Sequence, residues 1–398
     1  MISGILILKR GREKPVMRRH PWIFSGAVQR VEGEPSPGDL VQVVGSDGRF
    51  LAIAFYNPHS QIQGRILTWE DEVIDEAFWG NKVKRALNHR AKLDLEPATT
   101  AYRLIYAEAD GLPGLVVDKY GDFLVMQCLT LAMDGRKEML TKLLAELTQP
   151  IGIVERSDVD VRQKEGLGSV TDLLWGEAPV AELVIRENNY QFGVDLWQGH
   201  KTGFYLDQRE NRAAVCQPNY VTNKIILNAF AYTGGFAVYA AGRGATAIVN
   251  VDSSIPALEQ AERNMELNGF ERPQDEYLAG DVFEVLRYYR EEGRLFDMVI
   301  LDPPKFAHSQ RDLKQASRGY KDLNLQALHL LRPGGMLATF SCSGLVSADL
   351  FQKILFGAAV DARREVQIMQ FLSQPADHPV LLSFPESAYL KGFLCRVW

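Results

Sequence analysis

The spacing of apolar and polar residues changes character twice along the chain. Over residues 1–70 the segments ILIL, GDLVQVV, RFLAIAFY and QIQGRIL alternate or run apolar, broken by Pro35, Pro37-Gly38, Asp47-Gly48 and Asn57-Pro58. Short strands bounded by turn residues predict a small β-rich, barrel-like module. Over 75–93, Ala77, Phe78, Val83, Ala86 and Leu87 form a broken helical stripe, which predicts a linking helix. GLPGLVVDKY, DFLVMQCL and IGIVERS then read as strands, with a helix over Arg136–Leu147. Residues 71–185 are therefore expected to be the linking helix and a central α+β domain. ELVIRENNYQFGVDL follows as a hairpin turning at Glu187–Asn189.

After Asn223 the rhythm becomes strand, helix, strand, helix. KIILNAF and AIVNVD are apolar strands, Gly234–Ala241 opens a helix, and Ile255–Asn268 is a helix with Pro256 in its first turn and Gly269 just past its end. Tyr277–Asp281, Phe296–Asp302, Met336–Ser341 and the final Lys391–Trp398 read as further strands. Such alternation predicts an α/β fold: a Rossmann-like, doubly wound parallel sheet over 186–398, preceded by the two smaller domains.

In sheets of this kind ligands bind beyond the carboxyl ends of the strands. The first strand is followed by Ala231-Tyr232-Thr233-Gly234-Gly235-Phe236, whose glycines let a backbone approach a ligand at a helix N-terminus. The second ends in Asp252, placed to accept from ribose hydroxyls, and the third in Asp281, placed near an adenine edge. A glycine turn with an acid at this interval fits a nicotinamide enzyme as well as an S-adenosylmethionine enzyme. No G-x-G-x-x-G is present, which speaks against the former. The fourth strand ends in Asp302-Pro303-Pro304-Lys305-Phe306, where two prolines stiffen an extended backbone. The fifth ends in Phe340-Ser341-Cys342-Ser343-Gly344. A free cysteine is ordinarily a small buried hydrophobe, the reading taken for Cys128 and Cys395 inside apolar strands, and Cys216 has no context that singles it out. Cys342, at a strand end facing the same cleft as Asp302, is read instead as a nucleophile.

Composition adds limits. Hydrophobic residues make up 46% and charged residues 24%, an ordinary globular balance that excludes disorder and fibrous repeats. No apolar stretch approaches a membrane span, and the basic turn after Ile5 has the wrong order for a signal peptide, so a cytoplasmic protein without membrane contact is expected. The four cysteines show no C-x-x-C pairing, which excludes a zinc ribbon, and no metal is expected. Net charge is −6, yet residues 1–30 carry seven cations against Glu13 alone. A second basic run spans Lys82 to Lys92 with five cations and no acid. Anion binding is thus expected to be local.

At this point the chain resembles the bacterial 23S ribosomal RNA large subunit (cytosine-5) methyltransferase I family, with a PUA domain ahead of a class I S-adenosylmethionine-dependent methyltransferase domain. GREKPVMRRHPWIFS, EADGLPGLVVD, GHKTGFYLDQRENR, NAFAYTGGFAVYAA, LDPPKF, RGYKDLNL and FSCSGL carry the resemblance, in order and across essentially the whole chain. It implies S-adenosylmethionine as methyl donor and a cytosine carbon as acceptor. The implied partner is 23S rRNA or a large-subunit assembly intermediate, with a homodimer left open. It implies donor contacts by Phe204, Asp207, Asn228, Phe230, Tyr232, Thr233 and Ser253 beside Gly234, Gly235, Asp252 and Asp281. RNA contacts fall to Arg12, Lys14, Arg18, Arg19, His20, Trp22 and Lys201. Catalysis falls to Cys342, with Asp302 holding the base edge and Lys305 adding positive charge. Many RNA cytosine-5 methyltransferases carry a second cysteine after the proline of the fourth-strand motif; here Lys305 stands there, the normal pattern of the subgroup resembled. Three rivals remain: a base N-methyltransferase needing no cysteine, a dinucleotide oxidoreductase, and a non-catalytic RNA-binding assembly factor.

Overall fold

Short apolar runs between turns give residues 2–68 a six-stranded sheet in the order Trp22–Phe24, Ile62–Thr68, Phe50–Tyr56, Leu40–Val44, Ile2–Leu8, Val28–Gly33. Alternate residues point inward, so Leu6, Leu8, Val41, Val43, Ala52, Ala54 and Ile66 make one core. Among the described residues no pairing joins the two edge strands, which follow each other in the chain across the turn Ser25–Ala27. The computed structural model describes every residue except 1, 271 and 308.

Asp75 starts the linking helix Glu76–Ala91 by accepting from the Phe78 N–H at 2.9 Å. Its apolar face, with Phe78, Trp79, Val83 and Ala86, packs between two sheets: Ile53 and Phe55 of the first, and Leu104, Leu115 and Val117 of the second. That second sheet runs Thr171–Gly176, Gly152–Arg156, Phe123–Cys128, Leu115–Tyr120, Ala101–Tyr106, with the helix Lys137–Thr148 against it. The helix corrects one expectation. Of the five cations between Lys82 and Lys92, three are spent internally. Lys82 donates to the Leu67 carbonyl (3.0 Å), Arg85 to the Asp110 carbonyl (3.0 Å), and the buried Arg90 to the Asp110 carboxylate (2.7 Å). The run is a packing device more than an anion-binding face.

By internal contacts the chain divides into two compact units. One comprises Met1–Ile185, Val194–Leu206 and Ala376–Ser387; the other comprises Arg186–Gly193, Asp207–Pro375 and Ala388–Trp398. The hairpin Leu183–Glu187/Tyr190–Val194 turns through Asn188 and Asn189 at φ 49° and 69°, the two-residue geometry that asparagine tolerates.

The second unit holds a seven-stranded sheet. Numbered in chain order its strands are β1 (Ile225–Ala229), β2 (Ala247–Asp252), β3 (Glu276–Ala279), β4 (Phe296–Leu301), β5 (Leu331–Ser341), β6 (Val366–Ser373) and β7 (Lys391–Val397). Their order in space is β3-β2-β1-β4-β5-β7-β6. Strands β1 to β5 are parallel, and the inner ones are apolar on both faces because helices cover both. Strand β7 runs antiparallel between β5 and β6, so the sheet is mixed where a parallel one was expected. Helices α1 (Gly235–Gly242), α2 (Ile255–Leu267), α3 (Val282–Glu291), α4 (Leu313–Leu330) and α5 (Ala348–Ala362) fill the connections. Ser254 and Ser347 cap α2 and α5 by accepting from Ala257 and Leu350 N–H groups. Strand β3 stops at Ala279 instead of running to Asp281, because Asp281 caps α3 through Phe283 and Glu284 N–H groups at 2.8 and 3.2 Å. Among the described residues no helix is long and apolar enough to cross a membrane.

Candidate active site

A parallel strand followed by a helix must turn sharply at its carboxyl end, and the second unit collects these turns along one edge. After β1 the chain passes through Phe230 (φ 60°), Tyr232 (φ 47°) and Gly234 (φ 74°) before α1 begins. The Gly234 N–H closes this turn on the Ala231 carbonyl at 2.9 Å. The glycines are explained by packing as much as by a ligand. A Cβ on Gly234 would sit 2.8 Å from that of Ala261, and one on Gly235 would meet Arg212 Cδ at 3.0 Å. Arg212 is itself fixed by a buried two-pronged pair with Glu187, 2.7 Å on each side. Asn264 holds the Thr233 carbonyl at 2.8 Å, while the buried Thr233 hydroxyl has no hydrogen-bond partner among the described residues.

Asp252 ties three strand ends together. Its two carboxylate oxygens accept from the Tyr232 and Ser254 N–H groups, both at 2.9 Å, and its carbonyl accepts from Gly280 at 2.9 Å. A carboxylate has about four lone-pair sites, so two backbone bonds leave acceptor capacity for hydroxyls. Ser253 beside it is exposed, and so is Asp281. Asn228 lies inside β1, buried and bonded to Asn250 at 3.0 Å.

Asp302, one residue past β4, accepts from Gln208 Nε2 at 2.9 Å, and Gln208 in turn accepts from Asn211 at 2.6 Å. Gln208 belongs to GHKTGFYLDQRENR but no role was expected for it. Its neighbour Asp207 is buried and accepts from the Tyr389 hydroxyl at 2.5 Å. Pro304 and Lys305 are exposed. Cys342 follows β5, which pairs with β4 through Leu301 and Thr339. The loops after these two strands meet at Tyr320 of α4. The Tyr320 ring packs on Phe306 at 4.7 Å, and its hydroxyl bonds Ser341 (3.0 Å) and Ser343 (3.2 Å), the two neighbours of Cys342. Ala307 N–H reaches the Ser343 hydroxyl at 3.4 Å. Cys342 is partly exposed, whereas Cys128, Cys216 and Cys395 are fully buried. Burial pushes those three thiols up to about 12, so they are inert near neutral pH.

Other expected residues lie in the first unit. Phe204 is buried there, its N–H bonded to the Tyr120 hydroxyl at 3.1 Å. Lys201 is exposed, with its ammonium 4.4 Å from the Tyr205 ring centre. Arg12, Lys14, Arg18 and Arg19 are exposed around the helical turn Lys14–Met17. His20 is half-buried, 3.4 Å from Glu386. Trp22 is committed to protein: its N–H goes to Glu108 at 2.8 Å and its ring packs edge-on to Phe384 at 4.6 Å. The residue itself is half-buried.

Comparison with known proteins fits this architecture. A PUA-like domain model matches residues 6–69, and an S-adenosylmethionine-dependent methyltransferase model matches residues 139–396. "Ribosomal RNA large subunit methyltransferase I" of Shewanella amazonensis is 50% identical over 392 residues, covering 98% of each chain. The protein of the same name from Aeromonas salmonicida is 48% identical, covering 99% of this chain and 100% of its own. A solved structure described as a SAM-dependent methyltransferase from Streptococcus mutans shares the fold at a TM-score of 0.86 and 23% identity, with both chains covered in full. The chain thus belongs to the S-adenosylmethionine-dependent methyltransferases, in the ribosomal RNA large subunit methyltransferase I family.

Proposed function

We propose that the protein methylates C5 of a cytosine in large-subunit ribosomal RNA through a covalent bond between Cys342 and C6 of the base. The observation that carries this is the position of Cys342: alone of the four cysteines in reaching solvent, and held at the carboxyl end of β5 by bonds to both neighbouring serines. The names of the relatives support ribosomal RNA as substrate.

S-adenosylmethionine is the cofactor of this family, and the edge near β1 and β2 fits it. Asp252 retains acceptor capacity for ribose hydroxyls, the first turn of α1 offers the N–H groups that a helix leaves unpaired at its N-terminus, and Thr233 holds a hydroxyl without a hydrogen-bond partner among the described residues. When bound, it supplies an electrophilic methyl group. Asp252→Ala should weaken its binding about tenfold, roughly the loss of one charge-assisted hydrogen bond, as calorimetry would read.

C5 of cytosine is a poor nucleophile unaided. Addition of the Cys342 thiolate to C6 moves the C5–C6 π electrons onto C5, which takes the methyl group. Loss of the C5 proton to a base then re-forms the double bond as the C6–S bond breaks and the thiolate returns. One hard step becomes easier ones. Asp302, oriented by Gln208, holds the N3/N4 edge of the base, and Lys305 adds positive charge to the same loop. Residues 1–70 grip RNA through Arg12, Lys14, Arg18 and Arg19, ahead of a central region over 71–185 and the catalytic region over 186–398. Replacing those four cations by glutamine should lower the slope of log affinity against log salt by roughly 3. An unchanged slope would remove them from the RNA surface.

The reaction itself is tested by incubating labelled S-adenosylmethionine with unmodified large-subunit rRNA, digesting, and identifying the labelled nucleoside. Label in 5-methylcytidine is expected. Label in an N-methylated base would replace this reading with the nitrogen-methylating one.

A further inference from the structure

Lys391 opens β7, in register with Ser341 of β5 on one side and Ser373 of β6 on the other. The residue is 9% exposed, and its side chain crosses toward the loop that carries Cys342. The ammonium donates to the Ser343 and Val346 carbonyls, each at 2.7 Å. Those two carbonyls begin one residue after Cys342 and are turned inward, where each needs a donor. Among the described residues this buried ammonium donates to neutral carbonyls alone, an expensive choice for a clamp, since a hydroxyl or amide would serve without the desolvation cost. Among the described residues two titratable groups belong to this loop or bond it. Tyr320 bonds the serines flanking Cys342, and burial raises its hydroxyl so that it stays neutral. Cys342 is the other, and its charge opposes the effect of burial on Lys391, which is pulled down to about 8. The interaction is mutual: an ammonium that is favoured by a thiolate favours that thiolate in turn.

We propose that Lys391 is the positioning residue of Cys342: its ammonium holds the Ser343 and Val346 carbonyls so that the thiol stays at the edge of the sheet, and its positive charge favours the thiolate. Its catalytic meaning rests on the reading of Cys342 as nucleophile. Tyr320 fixes the same loop from the α4 side, so Cys342 is held from both directions. The motif FSCSGL gives no sign of the lysine, which lies far along the chain and arrives only through the antiparallel return of β7.

The test alkylates Cys342 in the full-length protein with iodoacetamide across a pH series and reads the Cys342 peptide by mass. The three buried cysteines serve as unreactive references. Lys391→Met is expected to raise the midpoint of Cys342 alkylation by about one unit and to lower kcat about tenfold, with KM for RNA and S-adenosylmethionine affinity unchanged. Lys391→Arg, which keeps the charge, is expected to recover most of the shift. If Lys391→Met fails to bind S-adenosylmethionine because it does not fold, Lys391→Gln, which keeps a donor and loses the charge, takes its place with the same expected midpoint. An unchanged midpoint in a charge-removing variant that binds S-adenosylmethionine like the unaltered protein would overturn the proposal. Alkylation needs no RNA, so an active Cys342→Ala protein would sink the nucleophile reading separately, leaving the link between Lys391 and the thiol to be judged by the midpoint.

Discussion

Cys342→Ala should reduce methyl transfer at least about 10⁴-fold, since in the proposed mechanism its thiolate supplies the step that makes C5 reactive. S-adenosylmethionine affinity should stay within about twofold, because the donor residues proposed near β1 and β2 do not include the thiol. Little stability should be lost either: the Cys342 side chain is partly exposed, and its loop is held by Tyr320 and Lys391 through the neighbouring residues. Single-turnover rates with labelled donor, next to a calorimetric titration, read both quantities. Loss of donor binding along with activity would point to a structural role for Cys342.

Asp302→Asn tests the second half of the chemistry. The amide keeps the shape and can still accept the bond from Gln208 Nε2, so the loop after β4 should stay in place. What it loses is the negative charge and the acceptor pair proposed to meet the amino edge of cytosine. Removing one preorganised group of this kind typically costs about 10²–10³ in rate. The loss should fall on kcat more than on KM. Gln208→Ala should cost less, because it frees the carboxylate without removing it. Equal effects from the two variants would instead make Asp302 a support for the loop.

The fold was legible where a periodic signal is strong. Apolar runs at Ile225–Ala229, Ala247–Asp252 and Phe296–Leu301 could hardly be anything but inner strands, and Pro256 and Gly269 bracketed α2. The helices α3, α4 and α5 were not marked out, although Ser347 offered an N-cap. The direction of β7 was not legible either, because antiparallel return at a sheet edge depends on how β6 and β7 pair and not on their composition. Charge misled over Lys82–Lys92, where Lys82, Arg85 and Arg90 satisfy internal carbonyls and Asp110. In the candidate site, strand-end position singled out Cys342, Asp302 and Asp252. The residues that hold them, Gln208, Tyr320 and Lys391, are polar side chains whose purpose exists only in three dimensions. The same is true of Gly234 and Gly235, whose missing side chains make room for Ala261 and Arg212.

The proposed covalent step can be trapped. RNA transcribed with 5-fluorocytidine presents a C5 substituent that cannot leave as a proton does, so the bond from Cys342 to C6 should persist after methyl transfer. The protein, incubated with such RNA and S-adenosylmethionine, should form a complex that survives denaturation. Mass analysis should place the nucleotide on the Cys342 peptide, and Cys342→Ala should form none. Absence of the complex from protein that methylates unsubstituted rRNA would contradict covalent catalysis by Cys342.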